Sequence, residues 1–377
     1  MPLLAGKRLL WYTGYGGSRL DMQKNIDIRI QGIEPLDSPA VLAERYPVTN
    51  ELTARILESR QRVNDIIQGK DSRLLAIVGP CSIHDPEAAR EYARKLKNLA
   101  DDVSDKLYLV MRTYFEKPRT IGGWKGLIVD PRMDGSYDIQ EGIATARKLL
   151  IDITSIGLPV GCEMLDPIVP QYIDDMLSWC SIGARTTESQ THRTLASGMS
   201  VAVGFKNSTG GEYATAVNAI KSAREPAAFI GIAKDGTLSI YRTTGNDCGH
   251  LILRGGDHGP NYYDEDVEAA TMLMEKLSLT PSIVVDCSHA NSRKDPKRQR
   301  RVLRAVVDQV VWGRTEIRGF MLESNLIAGC QSIPSNPKEL KYGVSVTDGC
   351  IGWEDTEEAL RRVCTALRRG KQALEAY

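Results

Sequence analysis

An α/β fold with eight parallel strands closed into a barrel is predicted for this 377-residue chain by three observations. Short apolar runs alternate with longer amphipathic stretches, the alternation recurs eight times, and the glycine-rich dinucleotide turns of an open doubly wound sheet are missing. Strands that alternate with helices imply right-handed crossovers and a parallel sheet, and eight repeats favour the (β/α)8 or TIM barrel over an open sheet. The predicted strands lie at about 74–79, 107–112, 158–163, 181–184, 201–205, 251–254, 283–286 and 319–323.

The elements follow in order. Residues 1 to about 30 are rich in glycine and charge without a sustained period and read as an extension, in which Met22 is an alternative start. Over 50–68, Leu52, Ile56, Val63 and Ile67 recur at helical spacing and Gly69 supplies a stop. Residues 1–68 therefore read as an N-terminal extension with one helix, and 69–377 as the barrel. After the first strand, Asp85 and Pro86 suit N-cap and N1, and Ala89, Tyr92, Ala93, Leu96 and Leu99 mark one helix face. Similar stretches lie at about 138–153, 170–179, 213–223, 264–277, 297–312 and 355–375. Lys234-Asp235-Gly236 reads as a hairpin turn between runs at 229–233 and 237–242, so about 227–249 is taken as an inserted β-hairpin.

Composition narrows the function. Forty-eight Lys and Arg balance 48 Asp and Glu, which argues against a chain built to bind nucleic acid or an acidic membrane and leaves small anionic substrates open. No run approaches the roughly 20 apolar residues of a membrane span. Lys7 and Arg8 precede too short an apolar stretch for a signal peptide, and eight scattered cysteines without a CxxC pair point to a reduced, cytoplasmic protein.

The chemistry sits at the strand ends, which share one mouth in such a barrel. Cys81, His289 and Glu323 offer sulfur, nitrogen and oxygen, a mixture suited to a divalent transition metal such as manganese, iron, cobalt or zinc. Asp348, on the loop before the last helix, is the candidate fourth ligand. Taken singly, a strand-end cysteine is more often a small buried hydrophobe, and their shared position is what joins them. Arg112, Lys117, Arg119, Lys125, Arg185, Lys206 and Arg254 bring up to seven positive charges to the same mouth, a concentration that needs anions to fill it. Gly122-Gly123 lets backbone N–H groups approach an oxyanion, and Glu163 either organises the lysines or moves a proton. His84 and His192 are weaker candidates. Trp124, Trp179 and Trp353 read as packing residues, and the basic run from Arg293 to Arg304 reads as a solvated helix face.

Gly79-Pro80-Cys81-Ser82-Ile83-His84-Asp85, Arg112-Thr113-Tyr114-Phe115-Glu116-Lys117-Pro118-Arg119-Thr120, Gly183-Ala184-Arg185-Thr186-Thr187-Glu188-Ser189-Gln190, Gly204-Phe205-Lys206-Asn207, Leu253-Arg254-Gly255-Gly256 and Asp286-Cys287-Ser288-His289-Ala290-Asn291 resemble the microbial (type I) class of 3-deoxy-D-arabino-heptulosonate-7-phosphate synthases. The likeness runs from about Pro35 to Asp355 and includes Glu44-Arg45-Tyr46-Pro47-Val48-Thr49.

The resemblance implies a metal-dependent condensation of phosphoenolpyruvate with erythrose 4-phosphate that opens the shikimate pathway. It carries the metal ligands to Cys81, His289, Glu323 and Asp348, and the phosphoenolpyruvate site to Arg112, Lys117, Lys125, Glu163, Ala184, Arg185, Lys206 and Arg254. Arg119 and Thr120 match contacts to the aldose phosphate. Lys117, with Cys81 and His289, is expected to carry the catalysis, and a depressed pKa is expected for Lys117 because other cations crowd it. The resemblance also implies a homodimer or homotetramer and inhibition by an aromatic amino acid, nearest to the tyrosine- or tryptophan-sensitive forms, with the N-terminal extension 1–68 and the inserted hairpin serving regulation and oligomerisation. Ile121-Gly122-Gly123 replaces the usual Thr-Val-Gly, and Asn207-Ser208-Thr209-Gly210-Gly211 the usual Asn-Gly-Thr-Asp-Gly. The rival readings are the eight-carbon synthase that uses arabinose 5-phosphate and a non-catalytic aromatic amino acid sensor.

Overall fold

The computed structural model describes residues 26–119 and 121–370. Thr120, the segment holding Met22, and the end of the helix expected to reach residue 375 lie outside the described residues. The chain divides into two units, Met1–Leu36 and Asp37–Tyr377. In the first, the described residues are mostly exposed, with Ile30 N–H bonded to Asp27 O at 3.1 Å. All that follows concerns the second.

Eight parallel strands close the barrel: β1 (Leu74–Gly79), β2 (Leu107–Arg112), β3 (Val160–Met164), β4 (Trp179–Ile182), β5 (Ala202–Lys206), β8 (Gly249–Leu253), β9 (Ile283–Asp286) and β10 (Ile317–Glu323). The order around the ring is β1-β10-β9-β8-β5-β4-β3-β2. Nearly every strand residue is buried, because each strand packs inward on the barrel and outward on helices. That two-sided burial is why the sequence shows continuous apolar runs rather than alternation. The outer helices are α3 (Pro86–Asp102), α4 (Ile139–Ser155), α5 (Pro170–Ile173), α6 (Gln190–Gly198), α7 (Ala214–Arg224), α8 (Asp264–Lys276), α9 (Gln299–Trp312) and α10 (Trp353–Arg369). Asp85 caps α3 as expected, accepting from the N–H groups of Glu87 and Ala88 ahead of Pro86.

Two helices precede β1, not one: α1 (Pro39–Arg45) and α2 (Asn50–Ile67). Val63, Ile66 and Ile67 of α2 join the interior cluster with Leu75, Ile77, Trp179 and Ile252, so α2 closes the floor of the barrel. There Trp179 Nε1 donates to His250 Nε2 at 3.0 Å, both side chains fully buried.

Other departures have local causes. The stretch expected as a helix over 170–179 stops after one turn, continues as a 3-10 turn (Asp174–Met176), and gives Trp179 to β4, where it pairs with Gly161 and Ala202. Helix α6 escapes the apolar period because His192 and Ser197 share its buried face with Leu195 and Ala196.

The hairpin is present as β6 (Ala228–Ile232) and β7 (Leu238–Arg242), antiparallel, with Ile230 opposite Ile240; Gly249, the last residue of the expected insertion, already belongs to β8. Phe229 and Tyr241 stack on one face, and Ile230, Leu238 and Ile240 stand exposed on the other. The turn is tied to the N-terminal side of α1: Ala40 N–H bonds to Lys234 O at 2.7 Å, and Lys234 Nζ reaches Gln171 O at 2.7 Å and Asp174 at 3.0 Å. Tyr172 OH donates to Asp37 O at 2.8 Å, completing the join. Among the described residues no helix is long and apolar enough to cross a membrane.

Candidate active site

Several barrel strands carry an ionisable group at or just beyond their C-terminal end. Cys81 Sγ and carboxylate oxygens of Glu323 and Asp348 lie within 4.8 Å of one another, and Cys81 Sγ is 3.5 Å from Asp348 Oδ2. His289 stands beside them, its Nε2 3.8 Å from Glu323 Oε1. Its Nδ1 lies 2.9 Å from Asp286 Oδ2 and 2.8 Å from Ser288 Oγ, contacts that orient the ring with Nε2 on the side of Glu323. Sulfur and two carboxylates in mutual reach, with an imidazole nitrogen beside one of them, fit a divalent transition metal. Glu323 is fixed from behind by Gln299 of α9: Glu323 N–H donates to Gln299 Oε1 at 2.8 Å, and Gln299 Nε2 donates to Glu323 O at 2.9 Å.

The cations adjoin this cluster. Arg112, 1% exposed, donates through Nη2 to Glu323 Oε1 at 2.9 Å and through Nε to Pro80 O at 3.1 Å, with its guanidinium 3.6 Å above the Tyr114 ring. Its Nη1 is buried without a hydrogen-bond partner in the structure. A buried guanidinium N–H left in that state points to an anion as the missing acceptor. Lys117 Nζ lies 3.0 Å from Cys81 Sγ and 3.1 Å from Cys81 O. Lys206 Nζ pairs with Glu163 Oε2 at 2.6 Å, both buried, and lies 5.3 Å above the same Tyr114 ring. Tyr114 is thus a shared wall between Arg112 and Lys206, and its OH meets Ser181 Oγ at 2.8 Å.

The outer residues are placed more loosely. Arg185 is exposed and donates to Pro118 O at 3.3 Å, joining the β4 end to the Lys117–Arg119 loop. Lys125 and Arg119 are exposed, and Lys117 N–H donates to Lys125 O at 2.9 Å. That closure needs Gly126, at φ +113, because a Cβ there would stand 2.1 Å from Phe115 O. Arg254, half-buried, donates its backbone N–H to Asn207 Oδ1 at 2.8 Å, while its guanidinium reaches Gly255 O at 3.3 Å rather than the cluster. Ala184 is half-buried at the β4 end. His84 is buried beside β1, and His192 is held between Ser189 Oγ and Leu165 O.

The expected depression of the Lys117 pKa is not found. Burial works against its charge, but the Cys81 sulfur and Glu323 outweigh burial and raise it. Cations at the mouth are interleaved with anions, which the sequence could not show. Glu163 behaves likewise: burial pushes its carboxyl up, and Lys206, Lys117 and Arg112 hold it below the ordinary range. Burial, with Glu323 next, pushes the Cys81 thiol up to about 11, so a metal must displace its proton.

Sequence reading overlooked Tyr114, Asp286, Gln299 and Glu116. Asp286 carried a usable signal, a carboxylate ending a buried strand three residues before the candidate histidine. Glu116, buried behind Lys117, carried none.

Fold and site together define a barrel whose mouth sets buried cations beside side chains that could hold a metal ion. The profile of the DAHP synthetase I family matches residues 46–361, and the chain belongs to that family, the enzymes that condense phosphoenolpyruvate with erythrose 4-phosphate at the first step of the shikimate pathway. The Tyr-sensitive phospho-2-dehydro-3-deoxyheptonate aldolase of Escherichia coli is 52% identical over 344 residues, covering 91% of this chain and 96% of that one. The Trp-sensitive enzyme of Shigella flexneri is 47% identical over 346 residues, covering 92% and 99%. The solved phospho-2-dehydro-3-deoxyheptonate aldolase of Francisella tularensis superposes with a TM-score of 0.88 at 44% identity, covering 90% and 98%.

Proposed function

We propose that the mouth built by Cys81, Arg112, Lys117, Lys206, His289, Glu323 and Asp348 condenses phosphoenolpyruvate with D-erythrose 4-phosphate and water, giving 3-deoxy-D-arabino-heptulosonate 7-phosphate and phosphate. The observation that carries the assignment is the contact of Lys117 Nζ with Cys81 Sγ at 3.0 Å, which joins the metal-donor set to the cation set. Cys81, His289, Glu323 and Asp348 hold the metal, and manganese, iron, cobalt and zinc all suit the donor set. When bound there it supplies Lewis acidity toward the aldehyde oxygen of the four-carbon sugar.

The chain's own groups do the rest. Arg112, with a buried N–H to give, Arg185, Lys206 and Arg254 bind the phosphate and carboxylate of phosphoenolpyruvate, and Glu163 keeps Lys206 in place. Lys125 and Ala184 border that site. Arg119 and Thr120 receive the aldose phosphate. Phosphoenolpyruvate C3 attacks the aldehyde carbon, the Lys117 ammonium gives a proton to the new alkoxide, water adds at C2, and the C–O bond to phosphate breaks. An aromatic amino acid inhibits the enzyme, with tyrosine favoured by the Tyr-sensitive relatives, and it works as a homodimer or homotetramer in the cytoplasm.

The test is phosphoenolpyruvate consumption by purified, manganese-loaded protein with each aldose phosphate, followed by titration of the three aromatic amino acids. Turnover with erythrose 4-phosphate is expected. Turnover with arabinose 5-phosphate alone would overturn the substrate, and amino acid binding without turnover would make the chain a sensor.

A further inference from the structure

The loop from β9 to α9 is unusual in both charge and backbone. Arg293 and Lys294 are consecutive residues in the left-handed region, φ 53° and 59°, where side-chain-bearing residues other than Asn and Asp are seldom found. Both are exposed, as is Lys297 in the 3-10 turn Pro296–Arg298. Of the neighbouring cations, Arg298 pairs with Asp295, Arg300 with Asp355 and Glu358, and Arg304 with Asp308, while Arg301, on α9, has no ion pair among the described residues. Among the described residues, Arg293, Lys294 and Lys297 have no such ion pair.

Their position gives the excess charge a use. Lys294 N–H bonds to His289 O at 2.7 Å, Arg293 N–H to Ala290 O at 3.0 Å, and Pro296 packs where Gly349, next to Asp348, leaves room for it. The loop therefore stands on the rim of the mouth, directly outside two of the four metal-donor residues. The chain as a whole carries no net charge, so a positive field at this rim is local. Asp295 is turned to Arg298 and to the Lys297 N–H, and does not cancel it.

We propose that Arg293, Lys294 and Lys297 form an electrostatic collecting surface that draws phosphate-bearing substrates into the mouth without touching the reacting atoms; this rests on the function proposed above. Charges placed this way raise capture of an anion, and leave a bound, saturating substrate unaffected. The signature is a salt-sensitive kcat/KM with an unchanged kcat.

The test is a double variant, Arg293→Asn with Lys294→Asn, because asparagine tolerates the left-handed backbone and keeps the loop's shape. At low ionic strength its kcat/KM for erythrose 4-phosphate should fall about tenfold, and the difference from wild type should close by about 0.5 M salt, where screening is complete within a few ångströms. Its kcat should stay within about twofold of wild type, and the charge-keeping exchange Arg293→Lys with Lys294→Arg should restore kcat/KM. Equal kcat/KM at low salt, or a loss that persists at high salt, would overturn the collecting role while leaving the enzymatic reading intact. Absence of wild-type turnover with these substrates would instead overturn the reading on which it rests.

Discussion

Arg112 and Glu323 form an ion pair 2.9 Å long in which neither side chain is more than 2% exposed. In the proposed function one end holds the metal and the other binds the anionic substrate, so a single buried contact would hold the two halves of the site in register. Removing one partner leaves the other charged and dry. Arg112→Met should abolish turnover and cost about 3–5 kcal/mol of unfolding free energy in urea. Adding Glu323→Leu should recover most of that stability and none of the activity; a single variant as stable as wild type would show that the pair does not bear on the fold.

Cys81 is the proposed sulfur donor and accepts from Lys117, so a smaller side chain there should remove metal and chemistry together. Cys81→Ala should keep the circular dichroism of the parent, lose bound metal after dialysis, and lose at least about a hundredfold in kcat/KM. Full activity in that variant would remove Cys81 from the site.

The floor sets an acid limit. Burial holds His250 down to about 4, against 6.5 when free, and the Trp179 N–H pointed at Nε2 leaves no room for a second proton. The unfolded imidazole therefore binds a proton that the folded one refuses, and stability falls as pH drops from 6.5 toward 4, by about 3 kcal/mol. Urea midpoints measured across that range should show the loss, and His250→Gln should flatten it.

Glu116 sets a limit on the other side. Burial first, and the charge of Asp166 next, push its carboxyl up to about 8 from 4.5, so it is protonated in the fold where the unfolded chain would ionise it. Its contribution is complete below pH 4.5 and disappears as pH rises through 8. Glu116→Gln should be less stable or equal at pH 5 and gain on the parent by pH 9; parallel stability curves would show that Glu116 stays ionised.

The barrel strands were legible because burial on both faces leaves a continuous apolar run in the sequence, as in Leu74 to Gly79. Helix α6 was not, because its inner face is built from His192 and Ser197, whose hydrogen bonds to Leu165, Ser189 and Thr194 make burial tolerable only in the folded context. At the mouth, residue types at strand ends single out Cys81, His289, Glu323 and the cations as candidates. Their pairing stayed hidden, since which anion faces which cation depends on the ring order of the strands, and β1 lies beside β10, far away in sequence. The misjudged Lys117 follows from that: its cationic neighbours could be read in the sequence, but its contact with Cys81 could not.

The join among Asp37, Ala40, the Lys234 turn and Gln171 makes three sequence-distant pieces into one mechanical unit. A tug on the chain where it arrives at residue 37 is felt at the hairpin tip and at the start of α5 together, and none of the three can shift alone without breaking a bond in the other two.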